Sequence, residues 1–149
     1  MKKFIVIILI IAVMFTVGAV VYDKSVNPGR ADKAEYSTEH NSELFTDEEI
    51  NEAIEAVKKK FADFEGCTLT EIYYNEEKSR SFAKGYIENG RGSQNGVTEE
   101  NVLVLLSSFT VDETGGDGSL NAGGNYTGWN WILIRADENS DWVVDDWGY

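Results

Sequence analysis

The chain is 149 residues long, with 26 acidic against 13 basic side chains and a formal charge of −13. That balance speaks against nucleic-acid binding, which needs a basic footprint, and against adhesion to anionic lipid headgroups; its ordinary use is solubility and self-repulsion. The single cysteine, Cys67, allows no internal disulfide, so a folded domain must hold itself by its core.

Residues Phe4 to Tyr22 (FIVIILIIAVMFTVGAVVY) carry no charge and follow Lys2 and Lys3. At about 1.5 Å per residue this run makes a helix of about 28 Å, close to the ~30 Å of bilayer hydrocarbon. We therefore expect an N-terminal transmembrane helix, an uncleaved signal-anchor that meets membrane lipid through residues 4–22. The alternative is a signal peptide cleaved near Val17-Gly18-Ala19, which would release the protein; the apolar run is longer than such segments usually have. A lipoprotein is disfavoured because no cysteine follows the apolar run. Basic residues flank both ends almost equally, so orientation rests on the very short N-terminal tail, which favours a C-terminal domain outside the cell membrane.

Residues 23–44 are polar and mixed in charge, with the only proline, Pro28, before Gly29. No helical or strand period emerges, and the segment reads as a flexible tether. The sole histidine, His40, falls here and is expected in solvent rather than in a Ser-His-Asp arrangement.

The expected domain covers 45–149. Thr46-Asp47-Glu48-Glu49 fits a capping box, with Phe45 and Ile50 placed as a hydrophobic staple. Apolar residues then recur at Ile50, Ala53, Ile54, Val57 and Phe61, one face of a helix over about 47–63. Its acidic start and Lys58-Lys59-Lys60 near its end suit the helix dipole, and Gly66 is a natural stop. Cys67 to Tyr74 is β-branched and aromatic and predicts a strand, with Cys67 as a small buried hydrophobe rather than a nucleophile. Asn75 can cap a second helix that sets Phe82 and Tyr86 at i, i+4, weakened by Gly85. Residues 89–96 (NGRGSQNG) predict a flexible loop.

Asn101 to Asp112 is apolar on both alternating sets in its first half, Val102, Val104 and Leu106 against Leu103, Leu105 and Phe109, which predicts a central strand covered on both sides at one end. The glycine-rich loop that follows lacks GK[ST] and leads to a strand, so it offers no phosphate cradle. It fails as an EF-hand too, because Ala122 and Gly128 stand where glycine and glutamate are needed if Asp117 comes first. A looser calcium site on Asp112, Asp117 and Asn121 is the minority alternative to a solvated hairpin loop. Asn125-Tyr126-Thr127 is a glycosylation sequon, relevant only in a host that glycosylates. Residues 129–136 and 142–147 predict a hairpin of strands around the turn 137–141. Asp145 and Asp146, adjacent in a strand, should face opposite ways, while Asp141 and Asp145 could share a face at the solvent-rich end.

All four tryptophans, Trp129, Trp131, Trp142 and Trp147, fall near the C-terminus and should mostly line a core. The minority alternative is a ligand pocket on Trp131, Trp147 and Tyr149. The pattern assigns no catalytic residue, metal ligand or cofactor.

The order helix, strand, short helix, then strands ending in WILIRADENSDWVVDDWGY is similar to the NTF2-like (cystatin-like α+β) group of small exported Gram-positive proteins of unknown function. The likeness runs over about residues 44–149. It implies amphipathic helices packed on a curved antiparallel sheet, often with a conical pocket, in an architecture that hosts enzymes and inert binding modules alike. The chain departs from the enzymatic members in having no histidine within the domain and no Asp/His pair. We therefore expect a non-catalytic, extracytoplasmic accessory or binding module whose partner is an envelope protein, peptide or glycan. The alternative is an extracytoplasmic enzyme using carboxylates, which would need acids buried in a cleft beside the tryptophans.

Overall fold

The computed structural model describes residues 27–38 and 42–149; the expected anchor at 4–22 and His40 lie outside them. Among the described residues, no helix is long and apolar enough to cross a membrane. The fold is α+β. Strands β1 (Glu35–Thr38), β2 (Cys67–Tyr74), β3 (Val102–Val111), β4 (Asn125–Ile134) and β5 (Val143–Gly148) form one five-stranded sheet in sequence order. Helix α1 (Asp47–Phe61) lies between β1 and β2; α2 (Glu76–Asn89) and the single turn α3 (Gly92–Asn95) lie between β2 and β3.

The sheet is mixed rather than wholly antiparallel, because β1 runs parallel to β2 while the other pairs are antiparallel. This corrects the tether expected over 23–44, since residues 27–38 belong to the domain. Arg30 bridges Thr68, and the strand then pairs Glu35 with Glu71 through to Thr38 with Tyr74. Backbone bonds from Gly29 to Ala62, from Arg30 to Cys67 and from Gly66 to Asn27 fasten the approach. Gly29 is required by space: a Cβ there would lie 2.0 Å from the Phe61 carbonyl oxygen. The pairing is made by backbone groups, with mostly exposed side chains, so no alternation marks it.

Helix α1 starts as its sequence dictates. The Thr46 hydroxyl accepts from the Glu49 N–H at 3.2 Å while the Glu49 carboxylate accepts from the Thr46 N–H at 2.8 Å. Ile50, Ala53, Ile54, Val57 and Phe61 are all buried, as the periodicity predicts. The helix ends at Phe61 rather than near 63, and Phe64 folds back to stack on Phe61 at 5.3 Å. Helix α2 is capped by Asn75, whose side chain accepts from the Lys78 N–H at 3.0 Å. Its inner face is Ser79, Ala83 and Tyr86, whereas Phe82 is 38% exposed. Within the segment expected as a loop, residues 92–95 form α3.

The two helices cover opposite faces of the sheet. Leu103, Leu105 and Phe109 join the α1 core with Leu69, Ile72, Trp131 and Leu133; Val102 and Val104 join Ala83 and Tyr86 under α2. Strand β3 is thus covered on both sides, as its doubly apolar sequence requires. Register shifts interrupt β2, β4 and β5 at Leu69/Glu71, Ser107/Ser108 and Ile132/Leu133, and bulges of this kind bend and twist a sheet.

Candidate functional site

The interior between α1 and the sheet is filled with rings. Trp131 is 0% exposed and donates its indole N–H to the Ser107 hydroxyl at 2.8 Å. Phe61 and Phe64 meet it at 6.1 and 5.1 Å between ring centroids. This packing removes Trp131 from any solvent-facing pocket: of the three residues expected to share one, it lies beneath the surface.

Above it a cleft of about 350 Å³ opens between the C-terminal end of α1, the start of β2, the β3–β4 loop and the β4–β5 hairpin. Its aromatic wall is Phe64, Trp129 and Trp147. Trp147 is 41% exposed and packs against Phe64 at 6.3 Å and Trp131 at 6.5 Å, so its ring is held by the core but still reached by solvent. Tyr149, 78% exposed, lies edge-on to Trp129 at 5.2 Å. Trp147 therefore lines the cleft, and Tyr149 stands next to it through Trp129.

Polar groups complete the walls. The Lys60 ammonium sits 4.6 Å from the Trp147 ring centroid and 2.9 Å from an Asp63 carboxylate oxygen. Asp63 and Asp117 are exposed and Glu65 is half-buried. The Trp129 Nε1 is buried without a hydrogen-bond partner, an indole donor left over after the core is packed. Lys60, Phe64 and Trp129 are the members that sequence reasoning did not assign. A signal for Lys60 existed, since it ends the basic turn of α1 beside the helix stop. Pairing it with Trp147 required the fold.

Cys67 also borders the cleft but is buried, and its thiol bonds the Glu65 carbonyl at 3.6 Å. Burial, and then the nearby charges of Asp112 and Asp117, push its pKa up to about 11, which keeps it a thiol at neutral pH. The three residues of the calcium alternative have hydrogen-bond partners within the loop and its surroundings. Asp112 accepts from the Thr114 N–H and hydroxyl and from Asn27, Asp117 accepts from Ser119, and the Asn121 N–H is given to the Tyr126 oxygen. Among the described residues, no three His, Cys, Asp or Glu side chains come together to hold a metal ion.

The C-terminal acids take structural work instead. Asp145 is the extra residue of the β5 bulge, so the simple opposite-face alternation with Asp146 fails there. It accepts from the Tyr86 hydroxyl at 2.6 Å, with the Arg91 guanidinium 3.5 Å away, tying α2 and its following turn to the edge strand. Burial, reinforced by that hydrogen bond, moves Tyr86 up to about 12. Asp146 accepts the N–H of Trp147 at 3.0 Å, and Asp141 is exposed at the hairpin turn. On the other side of the core, Arg135 is clamped between Glu49 at 2.6 Å, Asn101 and the Glu100 carbonyl, with its guanidinium 4.5 Å over the Trp142 ring.

No curated protein and no solved structure matches this chain. Residues 27–148, a span that takes in β1 and ends within the cleft's hairpin, match the domain of unknown function DUF4829, and the chain belongs to that family.

Proposed function

We propose that this protein is a membrane-anchored, extracytoplasmic binding module of NTF2-like kind, without catalytic chemistry, whose ligand sits in the cleft walled by Trp147, Trp129 and Phe64. The uncharged run 4–22, about as long as bilayer hydrocarbon is thick, supports the anchor. The observation that carries the binding role is Trp147, a large ring packed against Phe64 and Trp131 yet 41% exposed at the cleft wall, with only the Lys60 ammonium described over its face. Rings supported in this way offer ligand area at little conformational cost. Of the acids around the cleft, Asp63 and Asp117 lie at the surface and Glu65 is half-buried, an arrangement that suits a recognition surface better than a sealed acid–base pair.

The test is isothermal titration of the full chain, in a nonionic detergent, against peptidoglycan fragments and short glycans. Heat with the native chain that is lost in Trp147→Ala is the expected result. Silence with both classes removes the glycan ligands, and heat that survives the substitution removes the cleft. For the location, an alkaline phosphatase fused after Tyr149 should be active; an inactive fusion beside a working cytoplasmic reporter would reverse the orientation.

A further inference from the structure

We propose that the cleft takes the ammonium group of a lysine side chain presented by a peptide, and that Lys60 is the resident which this ligand displaces. The inference rests on the cleft being a binding site, as argued above, and adds the chemistry of its occupant.

Lys60 already shows what the site accepts. Its ammonium lies 4.6 Å from the centre of the Trp147 ring and 2.9 Å from Asp63, so an aromatic face and a carboxylate grip one primary amine together. An indole face attracts a cation through its quadrupole, and an adjacent carboxylate adds a directed hydrogen bond. The remaining charges point the same way. Asp63, Glu65 and Asp117 line the cleft with Lys60 as the one basic residue of its wall, in a chain of net charge −13, although Asp63 already pairs with Lys60 and Asp117 accepts from Ser119. A free carboxylate or phosphate ligand would meet repulsion there, while a cation would be drawn in.

The internal pair is exchangeable. The Lys60 and Asp63 side chains are 32% and 67% exposed, so water reaches both, and surface pairs of this kind hold weakly. Swinging Lys60 outward leaves the Trp147 face and Asp63 free to receive an equivalent amine. The cleft, at about 350 Å³, is at the small end of ligand sites, a size that suits one long side chain and its flanking backbone rather than a whole folded surface.

The test is calorimetric titration of the full chain in nonionic detergent with trilysine, and with trilysine acetylated on all three side-chain amines, which keeps the shape and removes the charge. Trilysine should bind and the acetylated peptide should not. Trp147→Ala should weaken trilysine by roughly three- to thirtyfold, the range for a cation over an indole face. Lys60→Ala should tighten it, while Lys84→Ala, an equal charge change at an exposed position on α2, should not. Equal heats from the two peptides, or trilysine binding that ignores both Trp147→Ala and Lys60→Ala, would overturn the proposal. The peptide comparison needs no variant and stands even if Trp147→Ala folds poorly. Glycan fragments that bind through Trp147 while trilysine does not would sink this inference and leave the binding module standing; silence from both would remove the two together.

Discussion

Two tryptophans separated by one strand pairing do opposite things. Trp131 and Trp147 face each other across β4 and β5, yet one is sealed in the core and the other is open. The first has ring neighbours in Phe61 and Phe64 and a hydrogen-bonded indole, so Trp131→Ala should cost about 3–5 kcal/mol, read from chemical denaturation. Trp147→Ala should cost well under half of that, and equal losses at the two positions would contradict this account of the packing. Glu49 provides a second residue-scale effect. Partial burial works against its charge, but the Thr46 N–H and hydroxyl and the Arg135 guanidinium together hold its carboxyl below the usual 4.5. A group depressed in the folded state contributes fully above its unfolded value and loses that contribution as pH falls through its folded value. Glu49→Gln should therefore lower stability at neutral pH and narrow its gap from the native chain as the pH drops below about 4.5, followed by thermal melts across that window.

At the scale of elements, legibility followed the side chains. Helix α1 could be drawn in advance because a capping box, a staple and a five-residue apolar stripe all state the same thing, and β3 because a strand with two greasy faces has to lie in the middle. Strand β1 could not, since a short parallel edge is held by its backbone while its side chains stay polar. The end of α1 was missed by two residues because Ala62 and Asp63 are compatible with a helix, and what stops it is Phe64 turning back onto Phe61. The pocket was half legible: rings spaced two apart share a face, but which ring is buried depends on how far the loops and α1 reach over each. Gly29 tests the element that was missed. With the Phe61 carbonyl in the way of any side chain, Gly29→Ala should detach the segment before β1 and expose residues 27–38 to limited proteolysis while α1 and β2 stay protected. Unchanged cleavage would mean the approach can relax.

For the whole molecule, charge is the dominant property. A chain at −13 repels itself, and the compact state concentrates that repulsion. Raising the salt from about 10 mM to about 0.5 M shortens the Debye length from roughly 30 Å to a few Å, so the melting temperature should rise with salt rather than fall. A fall would imply that ion pairs such as Arg135–Glu49 outweigh the collective repulsion. The same field bears on the cleft, where it favours approach by a positively charged partner at low ionic strength.

The way the chain enters its domain has a mechanical consequence. Residue 27 is joined at once to the turn after α1, and the next contacts run from Gly29 to Ala62 and from Arg30 to Cys67 and Leu69, ahead of a parallel edge strand. A tug delivered from the N-terminal side is taken first by this short row of backbone bonds, stretched along the strand, and only afterwards by the aromatic interior. The row would act as a fuse: load would have to break these bonds and draw Ala34 out of the core before it reached the rest of the domain.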